Sequence, residues 1–310
     1  MKIIEVNGLT KTYGDLTAVD HISFTVEQGT MLGFLGINGA GKSTAINMLS
    51  TLLRPDGGSA TVCGHQIGQE DEQIRRKIGI VYQQNVLDDL LSVRENLLCR
   101  GILHGANRRQ AAAQLDRLCQ ILKLEDILKK QYKTLSGGQK RRCEIAAALM
   151  HTPQVLFLDE PTTGLDPATR KDVWEIIETL RRDEQMTVFL TTHYMEEAAD
   201  AAYIVILDSG KISAEGTPLE LKNAYTGDYI TLYRAREAVV KNLGVPYEAI
   251  RDALRPSIPN TAKATELIIN NPEIFTDYEI TKGKMDDVFL NVTGKKLDGG
   301  AEKRKQPWRL

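Results

Sequence analysis

Gly36-Ile37-Asn38-Gly39-Ala40-Gly41-Lys42-Ser43 lies between the apolar run Met31–Leu35 and a segment whose apolar residues fall at Ala45, Met48, Leu49, Leu52 and Leu53. The run predicts a strand, and the 3.6-type spacing predicts a helix over residues 43–53. A turn of this composition, in that context, fits GxxxxGK[ST]. Its glycines allow the chain to point successive N–H groups inward as an anion nest, and the helix that starts near Ser43 adds the positive end of its dipole. In such a cradle Lys42 is expected to reach the β- and γ-phosphates of a nucleotide, and the Ser43 hydroxyl to ligate Mg2+. Gly36, Ile37, Asn38, Gly39, Ala40, Gly41 and Thr44 complete the expected binding loop.

The second half of such a site is legible at Val155-Leu156-Phe157-Leu158-Asp159-Glu160. Four apolar residues in a row predict a strand covered on both faces. It delivers Asp159 to the carboxyl edge of the sheet, where ligands of open α/β folds bind. Asp159 is expected to hold Mg2+, and Glu160 to orient or deprotonate the attacking water. These two segments together imply a Mg-dependent nucleotide triphosphatase.

The remaining pattern fits an α/β chain with a largely parallel sheet. Strands are expected at residues 2–6, 22–26, 78–82, 187–190 and 203–207. Residues 93–130 read as helical, with Ala111, Leu115, Leu118 and Leu122 on one face. Asp166-Pro167 is an N-cap and first-turn proline for a helix with the inner stripe Val173, Ile176, Ile177 and Leu180.

Composition narrows the class. The 310 residues suggest two folding units. With 39 Lys and Arg against 41 Asp and Glu, the chain lacks the basic excess of a dedicated nucleic-acid binder, and no nucleic-acid partner is expected. The longest apolar run, residues 201–207, is seven long. A membrane span needs about 18 or more. Cys63, Cys99, Cys119 and Cys143 are widely spaced, suggesting reduced thiols rather than a metal site or disulfide framework. The N-terminal segment enters a strand pattern directly, without the features of a secretory signal, so a cytoplasmic location is expected.

Leu135-Ser136-Gly137-Gly138-Gln139 precedes the 155–160 strand by about twenty residues. Here the sequence resembles the ATP-binding cassette (ABC) family, whose signature has this form. Tyr13, Gln83, Gly164-Leu165-Asp166 and His193 in Thr191-Thr192-His193 match further family motifs in order. The resemblance covers about residues 1–220. It implies the α/β, P-loop NTPase fold of an ABC ATPase: a mostly parallel sheet core, an antiparallel β subdomain and a helical subdomain at about 86–150. A small C-terminal α+β domain is expected at 221–293, and a disordered basic tail at 294–310.

The resemblance also implies roles. Tyr13 would stack on adenine, Gln83 would touch Mg2+ or the lytic water, and His193 would contact the γ-phosphate as a switch. Ser136, Gly137, Gly138 and Gln139 would bind the ATP held by an opposite subunit, and Asp166 would communicate across that seam. For Tyr13, Gln83 and His193 the plain alternatives, a core tyrosine, a loop amide and a structural histidine, stay open at this stage. Ile37 stands where many relatives carry proline.

The phrase Met285-Asp286-Asp287-Val288-Phe289-Leu290-Asn291-Val292-Thr293-Gly294 resembles the closing element of ATPase subunits from drug- and antibiotic-resistance exporters. That branch implies a homodimer, with a heterodimer as the open alternative, clamped around two MgATP on the cytoplasmic face of the membrane. It would drive a separate permease exporting drugs, antibiotics or related hydrophobic compounds. A short permease helix would enter the groove near residues 83–93, against Leu87 and Leu90. Two alternatives are weighed against it: a soluble ABC ATPase acting on ribosomes or DNA, and an importer ATPase.

Overall fold

The computed structural model describes residues 1–294; the expected tail lies, after Gly294, outside the described residues. The chain divides into one compact unit, Met1–Ile212, and a second that starts at Ser213.

The first unit opens with a long hairpin, β1 (Lys2–Tyr13) and β2 (Leu16–Glu27), followed by β3 (Met31–Leu35) and α1 (Lys42–Leu49). Next come β4 (Gly57–Val62), β5 (His65–Gln66), α2 (Asp71–Lys77) and β6 (Ile78–Val81). Three helices follow, α3 (Val93–Leu103), α4 (Arg108–Leu122) and α5 (Gly137–Leu149), occupying the stretch where a helical subdomain is expected. β7 (Val155–Asp159), α6 (Pro167–Asp183), β8 (Thr187–Thr192), β9 (Tyr203–Asp208) and β10 (Lys211–Gly216) complete the core, the chain leaving the unit within β10.

A six-stranded sheet runs β10-β9-β3-β8-β7-β6, and β9-β3-β8-β7-β6 are mutually parallel. An antiparallel sheet, β2-β1-β4-β5, accompanies it. Phe24 of β2 joins the two: its ring centroid lies 5.5 Å from Phe34 of β3 and 6.0 Å from Phe189 of β8. Phe157 of β7 completes this buried aromatic cluster, 5.3 Å from Phe189. The structure is thus an α/β fold with a mixed arrangement of parallel and antiparallel sheets.

The expected stripes are buried as read on α4 and α6. The helix read over 93–130 is broken instead, because Gly105 turns the chain at φ +91° and Asn107 restarts it with a capping box to Gln110. The helix read over 43–53 stops at Leu49. Thr51 takes φ +64°, the amides of Leu52 and Leu53 both donate to Asn47 O, and Leu52 is exposed. The segments β4, β5 and α2 carry no sequence expectation; α2 buries only Ile74, too little for a periodic signal.

The second unit contains α7 (Pro218–Tyr225), β11 (Asp228–Tyr233), α8 (Glu237–Lys241), β12 (Tyr247–Ile250), β13 (Ala253–Ile258), α9 (Thr261–Asn270), β14 (Tyr278–Lys282) and α10 (Met285–Thr293). Its antiparallel sheet, β12-β13-β11-β14, is built around Ile230, Leu232, Val240, Leu254, Ile258 and Leu267. The Met285–Thr293 phrase forms α10, which buries Met285, Val288 and Phe289, and Asn291 donates to Tyr225 O at 2.7 Å. Among the described residues, no helix is long and apolar enough to cross a membrane.

Candidate active site

The glycine-rich loop leaves β3 and enters α1 without a side-chain cap, since the N-cap residue is Gly41. The first amides of α1 are therefore left to an outside acceptor, as an anion site requires. Gly41 itself sits at φ +106°, and a Cβ there would lie 2.3 Å from Ala18 O, so no other residue fits.

Lys42 is buried, and its Nζ donates to Gly36 O at 2.7 Å and Ile37 O at 3.2 Å. It also lies 3.4 Å from Glu160 Oε1. Glu160 follows the end of β7 and is 7% exposed, with φ +46°, a conformation that non-glycine residues rarely adopt. Its other oxygen, Oε2, accepts from Gln83 Nε2 at 3.3 Å and Thr163 Oγ1 at 3.1 Å. His193 Nδ1 lies 3.2 Å from the same oxygen without making an aligned hydrogen bond. Lys42, Gln83 and His193, read from three distant parts of the sequence, thus converge on the carboxylate of a fourth, Glu160.

Burial acts against both charges of the central pair. On Lys42 it prevails, drawing the ammonium below the ordinary lysine range despite the carboxylates of Glu160 and Asp159. On Glu160 burial is outweighed by Lys42 and His193 and by the Thr163 hydrogen bond, so the carboxyl is held below its ordinary range. Glu160 is ionised at neutral pH and able to accept a proton.

Ser43 Oγ donates to Asp159 Oδ1 at 3.3 Å, and Thr191 Oγ1 donates to the same oxygen at 2.6 Å. This hydroxyl and carboxylate are the hard oxygen donors that Mg2+ takes from a protein when it keeps waters and phosphate oxygens for its other positions. Among the described residues no cluster of three or more His, Cys, Asp or Glu could hold a metal by itself. The donor set fits a metal shared with a bound phosphate. Thr191 and Thr163 are not legible as site residues, because only the pairing of Thr191 with Asp159 across the sheet and the turn that brings Thr163 back to Glu160 give them a role.

The Ser136–Gln139 segment begins α5. Ser136 Oγ accepts from Gln139 N at 3.3 Å, and Ser136 N donates to Gln139 Oε1 at 3.1 Å. Asp166 caps α6, accepting from Ala168 N, Thr169 N and, at 2.6 Å, Thr169 Oγ1. The two segments meet where a Cβ on Gly138 would come within 2.2 Å of Thr169 Cγ2. Tyr13 stands at the end of β1, half exposed, with Lys11 Nζ 5.7 Å from its ring centroid. None of the polar contacts that assemble the Glu160 cluster involves it.

Leu87, expected to face a partner together with Leu90, is buried; its amide and that of Val86 donate to Glu144 Oε1. Leu90 is 71% exposed and borders a cavity of about 520 Å³ lined also by Leu91, Arg94, Leu128 and Lys129.

Comparison with known proteins places this geometry in context. Residues 19–163 match the family described as "ABC transporter". The daunorubicin resistance ATP-binding protein DrrA3 of Streptomyces coeruleorubidus is 39% identical over 303 residues, covering 94% of this chain and 96% of that protein. The Nod factor export ATP-binding protein I of Cupriavidus metallidurans is 35% identical, covering 95% of this chain and 98% of its own. Among solved structures, cbiO1 from Clostridium perfringens, part of the ABC transporter complex cbiONQ, has a TM-score of 0.66 at 27% identity, covering 71% of this chain and 90% of that one. A bacterial ABC transporter cassette solved as a dimer has a TM-score of 0.64 at 28% identity, covering 69% of this chain and 98% of that one.

Proposed function

We propose, from the premise that this chain belongs to the ABC transporter family and is an ATP-binding, ATP-hydrolysing subunit, that it powers an exporter through the Glu160-centred site. The convergence of Lys42, Gln83, Thr163 and His193 on the Glu160 carboxylate is the observation that carries this reading.

Glu160 acts as the general base. Its carboxylate is held ionised, and Gln83 and His193 flank the oxygen that would take the proton of the attacking water. Lys42, which has only backbone carbonyls and Glu160 as acceptors, turns to the β- and γ-phosphate oxygens when nucleotide enters. The uncapped amides of α1 meet the same phosphates. Mg2+, held through Ser43 and Asp159, would neutralise charge on the phosphate oxygens. Tyr13 supplies a half-exposed aromatic face for the adenine.

The chain works as a dimer, with a homodimer favoured because Lys42, Ser136, Asp159, Glu160 and His193 are all present in this one sequence. Within the chain Ser136 is engaged with Gln139 while its hydroxyl proton remains free to donate, which suits contact with a phosphate held by the opposite copy. The two-fold arrangement uses the same patch on both partners. The cavity beside Leu90 receives a cytoplasmic helix of a separate membrane permease. The subunit is then peripheral on the cytoplasmic face of the membrane. The names of the similar proteins support export of a drug, antibiotic or related hydrophobic compound.

A tagged pull-down from detergent-solubilised membranes, read by mass spectrometry, tests this. A stoichiometric polytopic membrane protein is the expected result. Ribosomal or DNA-associated factors, without a membrane partner, would overturn the transport reading and leave the ATPase.

A further inference from the structure

Three backbone carbonyls converge on one buried guanidinium. Arg141, in the second turn of α5, is 4% exposed. Its Nη1 donates to Tyr82 O at 2.6 Å, and its Nη2 to Glu160 O at 3.3 Å and, at the limit, to Gln83 O at 3.5 Å. One turn further along the same helix, Glu144 is 3% exposed and accepts from Tyr132 OH at 2.6 Å and from the amides of Val86 and Leu87 at 2.9 and 3.2 Å. Helix α5 therefore holds both ends of the segment 82–87 and, through the same arginine, the backbone of Glu160.

The consequence for Glu160 is local. Its φ of +46° is sterically disfavoured and persists only if the surroundings over-determine it. On one side its amide donates to Thr191 O at 3.1 Å. On the other side its carbonyl is held by Arg141. A planar guanidinium can serve carbonyls on two separate segments at once, because its donors form a rigid fork; an ammonium on a flexible stem cannot keep that geometry. Burial draws the Arg141 guanidinium below its ordinary range, with Glu144 the first charge opposing that, and it stays protonated at any physiological pH.

We infer that Arg141 is a positioning residue for hydrolysis: it locks the strained backbone of Glu160 and the Gln83 loop to α5, so that the base and its amide neighbour move as one body with that helix. The inference rests on the reading of Glu160 as general base. Arg141 touches neither the phosphate loop nor the Glu160 carboxylate, so its loss should leave nucleotide binding in place and misplace the base. A displacement of about 1 Å at a reacting group can cost up to about 10²-fold in rate.

The experiment compares the parent full-length protein with Arg141→Met, Arg141→Lys and Glu160→Gln. Phosphate release against MgATP concentration, equilibrium MgATP binding and a thermal melt are read for each. Arg141→Met is expected to lower kcat by about tenfold or more, with KM and the binding constant within about threefold of the parent. Arg141→Lys keeps the charge but can serve fewer carbonyls, and its kcat should fall between the two.

If Arg141→Met hydrolyses ATP at the parent's kcat, or if its KM and binding constant worsen in step with kcat, the positioning role is wrong. Should Arg141→Met not fold, Arg141→Lys decides alone, and a parental kcat in that variant overturns the inference. An inactive Glu160→Gln beside an active Arg141→Met removes only this inference. A Glu160→Gln variant that turns over like the parent removes the general-base reading and this inference with it.

Discussion

Ser43 Oγ lies 3.3 Å from Asp159 Oδ1, although 116 positions of sequence separate them. The two meet because α1 starts where β3 ends and β7 ends one strand away across β8, so both present their oxygens at the carboxyl edge of the sheet. Thr191, at the end of β8, fills the space between and donates to the same Asp159 oxygen at 2.6 Å.

Thr191→Val keeps the shape of this fully buried side chain and deletes its hydroxyl. Asp159 loses a donor, and the Glu160 amide, which donates to the hydroxyl at 3.2 Å, keeps only Thr191 O. We expect the apo protein to lose about 1–2 kcal/mol in urea denaturation. A less firmly oriented Asp159 should also raise the Mg2+ concentration needed for half-maximal ATPase. Parental Mg2+ dependence in this variant would show that Asp159 is positioned without Thr191.

Lys42→Ala and Glu160→Gln should fail in different ways. Removing the ammonium deletes the one buried cation the loop offers to phosphates, so Lys42→Ala should weaken ATP binding itself in an equilibrium titration. Glu160→Gln keeps the side chain's size and its acceptor oxygen but not its basicity. Hydrolysis should fall by about 10²–10⁴-fold, while ATP shifts the variant to a dimer in size-exclusion chromatography. If Glu160→Gln lost ATP binding as well, the carboxylate's part would be structural.

Gly138→Ala separates packing from helix propensity. Alanine in the first turn of α5 would add up to about 1 kcal/mol if only propensity mattered. Its Cβ would instead sit 2.2 Å from Thr169 Cγ2, and Thr169 cannot turn aside without breaking its 2.6 Å hydrogen bond to Asp166. We expect a lower melting temperature together with reduced ATPase. A variant that melts higher and hydrolyses normally would show that the Gly138–Thr169 approach is dispensable.

Much of the fold was legible because its signals are local. The run 155–158 is apolar throughout and became β7, buried on both faces; Asp166-Pro167 capped α6 as read. Lys42, Ser43, Asp159 and Glu160 were readable because their chemistry is tied to a short motif or to the end of a strand. What stayed hidden depends on distant partners. Arg141 reads as one basic residue in the run Lys140-Arg141-Arg142, and only its approach to Tyr82 O and Glu160 O distinguishes it from a solvated charge. Leu87 and Leu90 look alike in sequence, yet Glu144 draws the 86–87 amides inward and buries Leu87 while Leu90 is left outside. The end of α1 is not legible because Leu52 and Leu53 continue the helical spacing after the backbone has already turned at Thr51.

That difference between Leu87 and Leu90 sets the docking test. Leu90→Glu places a charge on an exposed side chain beside the 520 Å³ cavity and should leave folding and soluble ATPase unchanged. Co-purification of the proposed membrane permease should fall. Leu87→Glu instead buries an unpaired carboxylate and should destabilise the protein before any question of docking arises. Undiminished co-purification with Leu90→Glu would move the permease contact elsewhere.

The acid sensitivity of folding should trace in part to His151. Its Nε2–H donates to Ile78 O at 2.8 Å, which leaves Nδ1 as the unprotonated nitrogen, buried without a partner. The ring stacks on His104 at 3.9 Å between centroids and 6° between planes. Burial, then the neighbouring His104, pull the His151 pKa down from 6.5 to about 4. His104 is shifted the same way, by burial and by Arg100. A lowered histidine pKa means that the unfolded chain takes up a proton at a higher pH than the native one. Stability from His151 is therefore complete above about pH 6.5, falls as the pH drops below it, and is spent near pH 4. At about 1.4 kcal/mol per pH unit, the loss from pH 7 to pH 5 is at most about 2 kcal/mol. His151→Gln can keep an N–H for Ile78 O and cannot titrate, so its urea stability should fall less over that interval, by about that amount. Parallel losses in parent and variant would assign the acid sensitivity to other groups.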